Sequence, residues 1–190
     1  YRELWVDEKP PRAIKSLDNK GIVLYMGSIS KSLSAGLRIG WLVGPEPVIE
    51  RLGDIKMQTD YGSSSLSQWV LAEWINSGLY DEYLETVRKE LGTRRNIAIK
   101  ILNEYFSDIA TWQEPKGGFY IWIKLNKKVS INNLFSEALK EKLLINPGKI
   151  YDFSNNQYLR ISYSYASVDD LEQGLIKLGY LAREAMKYKY

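Results

Sequence analysis

The chain contains no cysteine and no histidine. Without thiols there is no disulfide, no thiolate nucleophile, no zinc ribbon and no iron–sulfur ligation. Without imidazole the usual general base and the commonest metal ligand are gone, so a Ser-His-Asp hydrolase cannot be assembled from this chain. Charge of one sign is also scarce. Lys and Arg total 26 against 23 Asp and Glu, and a net charge of +3, evenly spread, is too slight for a nucleic-acid surface in this segment. No apolar run approaches the ~20 residues that cross a bilayer, so no membrane contact is expected. The first residue is Tyr1 rather than Met, and no basic leader precedes an apolar core. The expectation is a piece of a longer, cytoplasmic protein without a secretory signal.

What is present supports a folded α/β chain. With 190 residues, 45% of them hydrophobic, there is material for one domain or two small ones with a real core. The polar chemistry left is that of carboxylate, Tyr, Ser and above all Lys, whose amine attacks carbonyls once its pKa falls below the unperturbed value of about 10.4. That points to Schiff-base chemistry. A continuous apolar run, Ile22 to Met26, and a second run, Leu37 to Val43, suit strands buried on both faces of an α/β sheet. From Pro47 the spacing is helical, and after Tyr61-Gly62 and three serines it resumes at Leu66 and runs to Gly78, predicting two helices joined by a Ser-rich corner. A longer helix is predicted over about Asp81 to Tyr105, with Gly92 its weak point.

After Asp108 the pattern changes. Gly117-Gly118 leads into an alternating aromatic strand, Phe119 to Leu125, and a helix follows from Ser130. Then come a short run at Leu143 to Ile145, a Pro147-Gly148 turn and an alternating strand from Tyr158 to Tyr163. A last helix starts at Ser167, a capping hydroxyl, with Asp169 and Asp170 placed well against its dipole. This half reads as an α+β unit, with the boundary near residue 105.

Between the first two strands lies Gly27-Ser28-Ile29-Ser30-Lys31-Ser32-Leu33-Ser34-Ala35-Gly36-Leu37-Arg38-Ile39-Gly40. Ligands of open α/β sheets sit at strand ends, and hydroxyls with an Arg suit a phosphate, so a phosphorylated aldehyde would find both groups it needs here. A solvated polar turn has the same composition. The order of the residues is more informative: GSISKSLSAGLRIGW closely resembles the lysine motif of the class I and II aminotransferases, the fold type I pyridoxal-phosphate enzymes. YREL at the start, PKGGFYIW, NPG and LRISYS resemble further landmarks of that family, in its order, so the resemblance covers the whole chain.

The resemblance implies pyridoxal 5'-phosphate as cofactor and the C-terminal part of a fold type I transferase. Residues 1–105 would be the end of the large α/β domain and residues 106–190 the small α+β domain. Lys31 would form the internal aldimine, Ser28, Ser30 and Arg38 would hold the phosphate, Tyr1 would bond the ring hydroxyl, and Arg160 would take the carboxylate of an amino acid. Physical reasons accompany these roles. Burial and Arg38 nearby would disfavour the ammonium form of Lys31, and a guanidinium clamps phosphate oxygens through two parallel bonds. Arg160 lies in an otherwise apolar strand, so a ligand carboxylate or an internal Asp or Glu must meet it. Gly117-Gly118 is an ordinary turn or, by the resemblance, a close backbone approach to substrate. The family's pyridine-nitrogen Asp, its ring over the cofactor and its glycine-rich phosphate loop would lie before Tyr1.

Two functions follow. DIKMQTDYGSSSLSQ and GLYDEYLETVRKELGTRRN resemble the effector domain of MocR-type regulators of the GntR family, which would bind DNA only through a region N-terminal to this chain. The alternative is a free-standing aminotransferase of the 2-aminoadipate or aromatic type, with 2-oxoglutarate as acceptor. Either implies an amino acid as the small-molecule partner and a homodimer, with Tyr61 to Ser65 approaching the partner's cofactor. No metal is expected.

Overall fold

The computed structural model describes residues 2–154 and 156–187. Two compact units divide the chain between Arg88 and Lys89, inside the longest helix; the limits read from the sequence follow the end of that helix instead.

In the first unit, β1 (Tyr25–Ser28) and β2 (Gly40–Val43) pair antiparallel, Gly27 opposite Trp41. A Cβ at Gly27 would fall 2.2 Å from the Trp41 indole, so a larger residue there would have to displace that ring. α1 (Glu46–Thr59) starts with a proline in its first turn, where the missing N–H costs nothing, and α2 (Ser65–Asn76) is capped by Ser64, which accepts from Ser67 N–H at 3.3 Å. The two helices and the serine corner between them match the spacing that predicted them. The strands do not match in one respect. They were expected to be buried on both faces, yet β1 alternates half-buried with exposed and β2 is mostly exposed. Continuous apolar runs call for cover on both faces, and residues 2–88 supply little of it: Leu4, Ile29 and Leu84 are the buried apolar residues described in this unit.

α3 (Leu79–Tyr105) runs unbroken through Gly92, which is buried. In the second unit a four-stranded antiparallel sheet has the order β3 (Ala110–Trp112), β4 (Tyr120–Leu125), β6 (Tyr158–Ser162), β5 (Asn146–Pro147). The side-chain period of two sorts its faces. Ile121, Ile123, Leu125, Leu159 and Ile161 are buried with Leu134 and Ala138 of α4 (Ile131–Lys140) and Leu171, Leu175 and Leu178 of α5 (Val168–Ala185). Tyr120, Trp122, Lys124, Tyr158 and Arg160 occupy the other face. Ser130 and Ser167 cap α4 and α5, accepting from Asn133 and Asp170 N–H. Arg183 ties the last turn of α5 to the end of α3 by three bonds of 2.8 to 3.0 Å to Asp108 and one of 2.9 Å to the Tyr105 carbonyl. The short run expected at Leu143 to Ile145 is not a strand; pairing begins one residue later, at Asn146. Among the described residues no helix is long and apolar enough to cross a membrane.

Candidate functional site

Residues 29–39 form one loop between β1 and β2. Ile29 anchors it: the side chain is buried, its N–H donates to the Ile39 carbonyl at 3.4 Å, and its carbonyl accepts from Leu33 and Ser34 N–H at 2.9 and 3.2 Å. The backbone therefore coils tightly through Ser30, Lys31 and Ser32. The Ser28 hydroxyl lies 3.0 Å from both the Ser30 hydroxyl and the Ile39 carbonyl, and accepts from Ser30 N–H at 3.1 Å. Arg38 follows a single 3-10 turn and holds φ at 56°, a left-handed conformation costing a non-glycine residue about 1 kcal/mol or more. Its Nη1 donates to the Ala35 carbonyl at 3.0 Å, and the side chain is exposed.

One support of this loop was not legible in the sequence. Tyr80, in the first turn of α3, donates its phenol hydrogen to Ser32 Oγ at 2.8 Å. Ser32 is buried, and burial pushes the Tyr80 phenol pKa up, partly offset by the bond to Ser32. The residue beside Lys31 is thus fixed to a helix 48 positions away. No spacing rule connects the two.

In the second unit, Arg160 is central in β6, paired with Trp122 on one side and Asn146 on the other. Its guanidinium carbon lies 3.9 Å from the Tyr120 ring centroid and 4.2 Å from that of Tyr151. Its Nε is buried and lacks a hydrogen-bond partner. The internal Asp or Glu that the sequence left open is not found among the described residues. Arg160, Asn146 and Ser162 border a cavity of about 480 Å³ that reaches the start of α5. The Gly117-Gly118 turn leading into β4 has Gly118 at φ 84°, and the Tyr163 hydroxyl donates to the Gly118 carbonyl at 2.6 Å. Arg95, buried in α3, donates to the Pro115 carbonyl at 3.0 Å and fixes the approach to that turn.

The structure therefore sets Ser28 at the end of β1 and Ser30, Lys31 and Arg38 on the loop that follows, with Arg160 in the other unit. Tyr1 lies outside the described residues. Lys31 departs from expectation in its environment: it is exposed, so the burial that was to disfavour its ammonium form is not provided by this chain's residues. The cause is that of the open strands, since the hairpin bearing the loop is little covered. Two hydroxyls, a guanidinium and a primary amine still make a donor set that fits a phosphorylated aldehyde, and the orphaned Nε of Arg160 fits a carboxylate.

Comparisons with known proteins point the same way. The chain is 55% identical over 184 residues to the uncharacterized HTH-type transcriptional regulator YdfD of Bacillus subtilis, covering 97% of this chain and 38% of that protein. It is 40% identical over 179 residues to the HTH-type transcriptional regulator NorG of Staphylococcus aureus, covering 94% of this chain and 40% of the regulator. The chain thus spans well under half the length of these curated relatives. Among solved structures, kynurenine aminotransferase of Pyrococcus horikoshii, crystallised with PMP, superposes with a TM-score of 0.92 at 28% identity, over 100% of this chain and 47% of that one. LysN, the alpha-aminoadipate aminotransferase of Thermus thermophilus, complexed with N-(5'-phosphopyridoxyl)-L-leucine, gives 0.89 at 28% identity, over 98% of this chain and 49% of that one. A profile of the class I and II aminotransferases matches residues 1–178. Motif order, loop and fold agree over one span, and the chain belongs to the class I and II aminotransferase family.

Proposed function

We propose that this chain is the aminotransferase-like effector domain of an HTH-type transcriptional regulator of the MocR kind, which binds pyridoxal phosphate through Lys31 and senses an amino acid through Arg160. The carrying observation is the Lys31 loop, a braced turn holding an amine, two hydroxyls and a strained arginine, in a chain 55% identical to a regulator. The cofactor supplies an electrophilic carbon for amines. Lys31 holds it covalently, and Ser28, Ser30 and Arg38 hold its phosphate, Arg38 by two parallel bonds that a lysine cannot copy. Tyr1 is assigned to the ring hydroxyl by the resemblance alone. Arg160 receives the α-carboxylate; its lack of an internal acid and its orphaned Nε support that role. Residues 1–105 then belong to the cofactor-binding domain and 106–190 to the small domain. DNA is contacted by a region outside these residues, and the protein works as a cytoplasmic homodimer.

A second reading, a free-standing aminotransferase, is favoured by the solved structures, which are enzymes. In that case the Lys31 amine, once freed by the amino acid, also moves a proton. The full-length protein, loaded with cofactor and given amino acids with and without 2-oxoglutarate, separates the two. The regulator reading expects an absorbance change and altered operator affinity without keto-acid formation. Steady keto-acid release, with no effect of amino acids on any DNA, would replace it by the enzyme.

A further inference from the structure

We propose that Tyr120 and Tyr151 are positioning residues for Arg160: their rings hold its guanidinium and leave its N–H donors for a carboxylate. The proposal rests on Arg160 being the carboxylate receptor, and adds how the chain keeps it ready. An arginine with four flexible torsions loses much rotamer entropy when fixed. Proteins usually fix one with an acidic partner, but that partner would occupy the same donors as the ligand. A ring fixes a guanidinium through its flat face and takes no donor. Arg160 shows this arrangement: two rings within 3.9 and 4.2 Å, and no ion pair or hydrogen bond of its side chain among the described residues.

The rings come from separate elements. Tyr120 is opposite Ser162, so it is a diagonal neighbour of Arg160 across the β4–β6 pair, within reach of an aromatic side chain. Tyr151 follows the 3-10 turn after β5, and its own ring is set edge-on to Trp122 at 5.9 Å. Tyr158 serves as an internal contrast. It shares the sheet face and stacks on Trp122 at 5.5 Å, but the cation over its ring is Lys124 rather than Arg160.

The test uses the full-length, cofactor-loaded protein, titrated with each of the twenty standard L-amino acids and followed by absorbance. Tyr151→Ala and Tyr120→Ala should each raise the concentration needed by about fivefold or more, the range of an exposed to partly desolvated cation–π contact. Tyr151→Phe, which keeps the ring, should restore the parent value, and Tyr158→Ala should leave it unchanged. The absorbance of the lysine-bound cofactor and the thermal midpoint should stay near the parent's in Tyr151→Ala, which a general disruption would not allow. If Arg160→Ala responds like the parent, or the parent responds to no amino acid, the receptor role itself fails. If Arg160→Ala weakens the response but Tyr151→Ala and Tyr120→Ala do not, or if Tyr158→Ala weakens it equally, the positioning role alone is overturned.

Discussion

In the second unit the apolar residues with strand and helix spacing lie inside: Leu102, Phe106, Ile121, Ile123 and Leu159 are each 0% exposed. In the first unit residues of the same kind and spacing stand in the open, with Met26 78%, Leu66 74% and Trp69 75% exposed. Hydrophobic periodicity states that a face is meant to be covered, and does not state by what. Large exposed apolar side chains at this density mark an interaction face. The Lys31 loop lies on the open unit and Arg160, the proposed carboxylate receptor, on the closed one.

The contrast predicts very unequal costs for truncation. Phe106→Ala should destabilise the chain by about 3 to 5 kcal/mol in urea unfolding, the usual cost of a large core cavity, whereas Trp69→Ala should cost less than about 0.5 kcal/mol. A comparable loss at Trp69 would mean that α2 is packed in solution and would erase the distinction. Caps sharpen it at smaller scale. Ser167→Ala should cost about 1 kcal/mol, because α5 buries Leu171, Leu175 and Leu178 and its end is coupled to the core. Ser64→Ala should lower helicity with less than half that loss of global stability, since no residue of α2 is buried. Equal global losses would show α2 to be part of the cooperative unit.

Much of the second unit was legible for the same reason. The starts of α4 and α5 were readable because Ser130 and Ser167 are local signals, and the strand at Tyr158 because its alternation is strict. β3 and β5, three and two residues long, have too little pattern to detect. The Lys31 loop was legible as wording. Its support by Tyr80 and the rings around Arg160 were not, because both depend on pairings set by the fold over long sequence separations. Arg160 itself stood out as a charge among apolar neighbours; that two tyrosines would meet it instead of an acid needed the register of β4 on β6.

The smallest expected effects are electrostatic. The Arg183 guanidinium holds the Asp108 carboxyl below the usual carboxylate range, and in the first unit the Lys15 ammonium and the Val23 N–H do the same for Asp18. A carboxyl depressed in the folded state stabilises it fully above the unfolded value of about 4, and that contribution fades as the pH falls through the folded value. Comparing urea midpoints at about pH 6 and about pH 3, Asp108→Asn should reduce the acid-induced drop seen in the parent. An identical drop would show that the Arg183 pair adds nothing to folding. Asp108 is exposed, so the change there should be slight.

Lys31 is the lysine to which the cofactor is proposed to bind. The full-length protein should be incubated with pyridoxal phosphate, reduced with borohydride, digested, and its peptides weighed by mass spectrometry. A cofactor-sized adduct is expected on the peptide containing Lys31, lost in Lys31→Ala while the fold is retained. An adduct only on another lysine, or none on the intact protein, would contradict it.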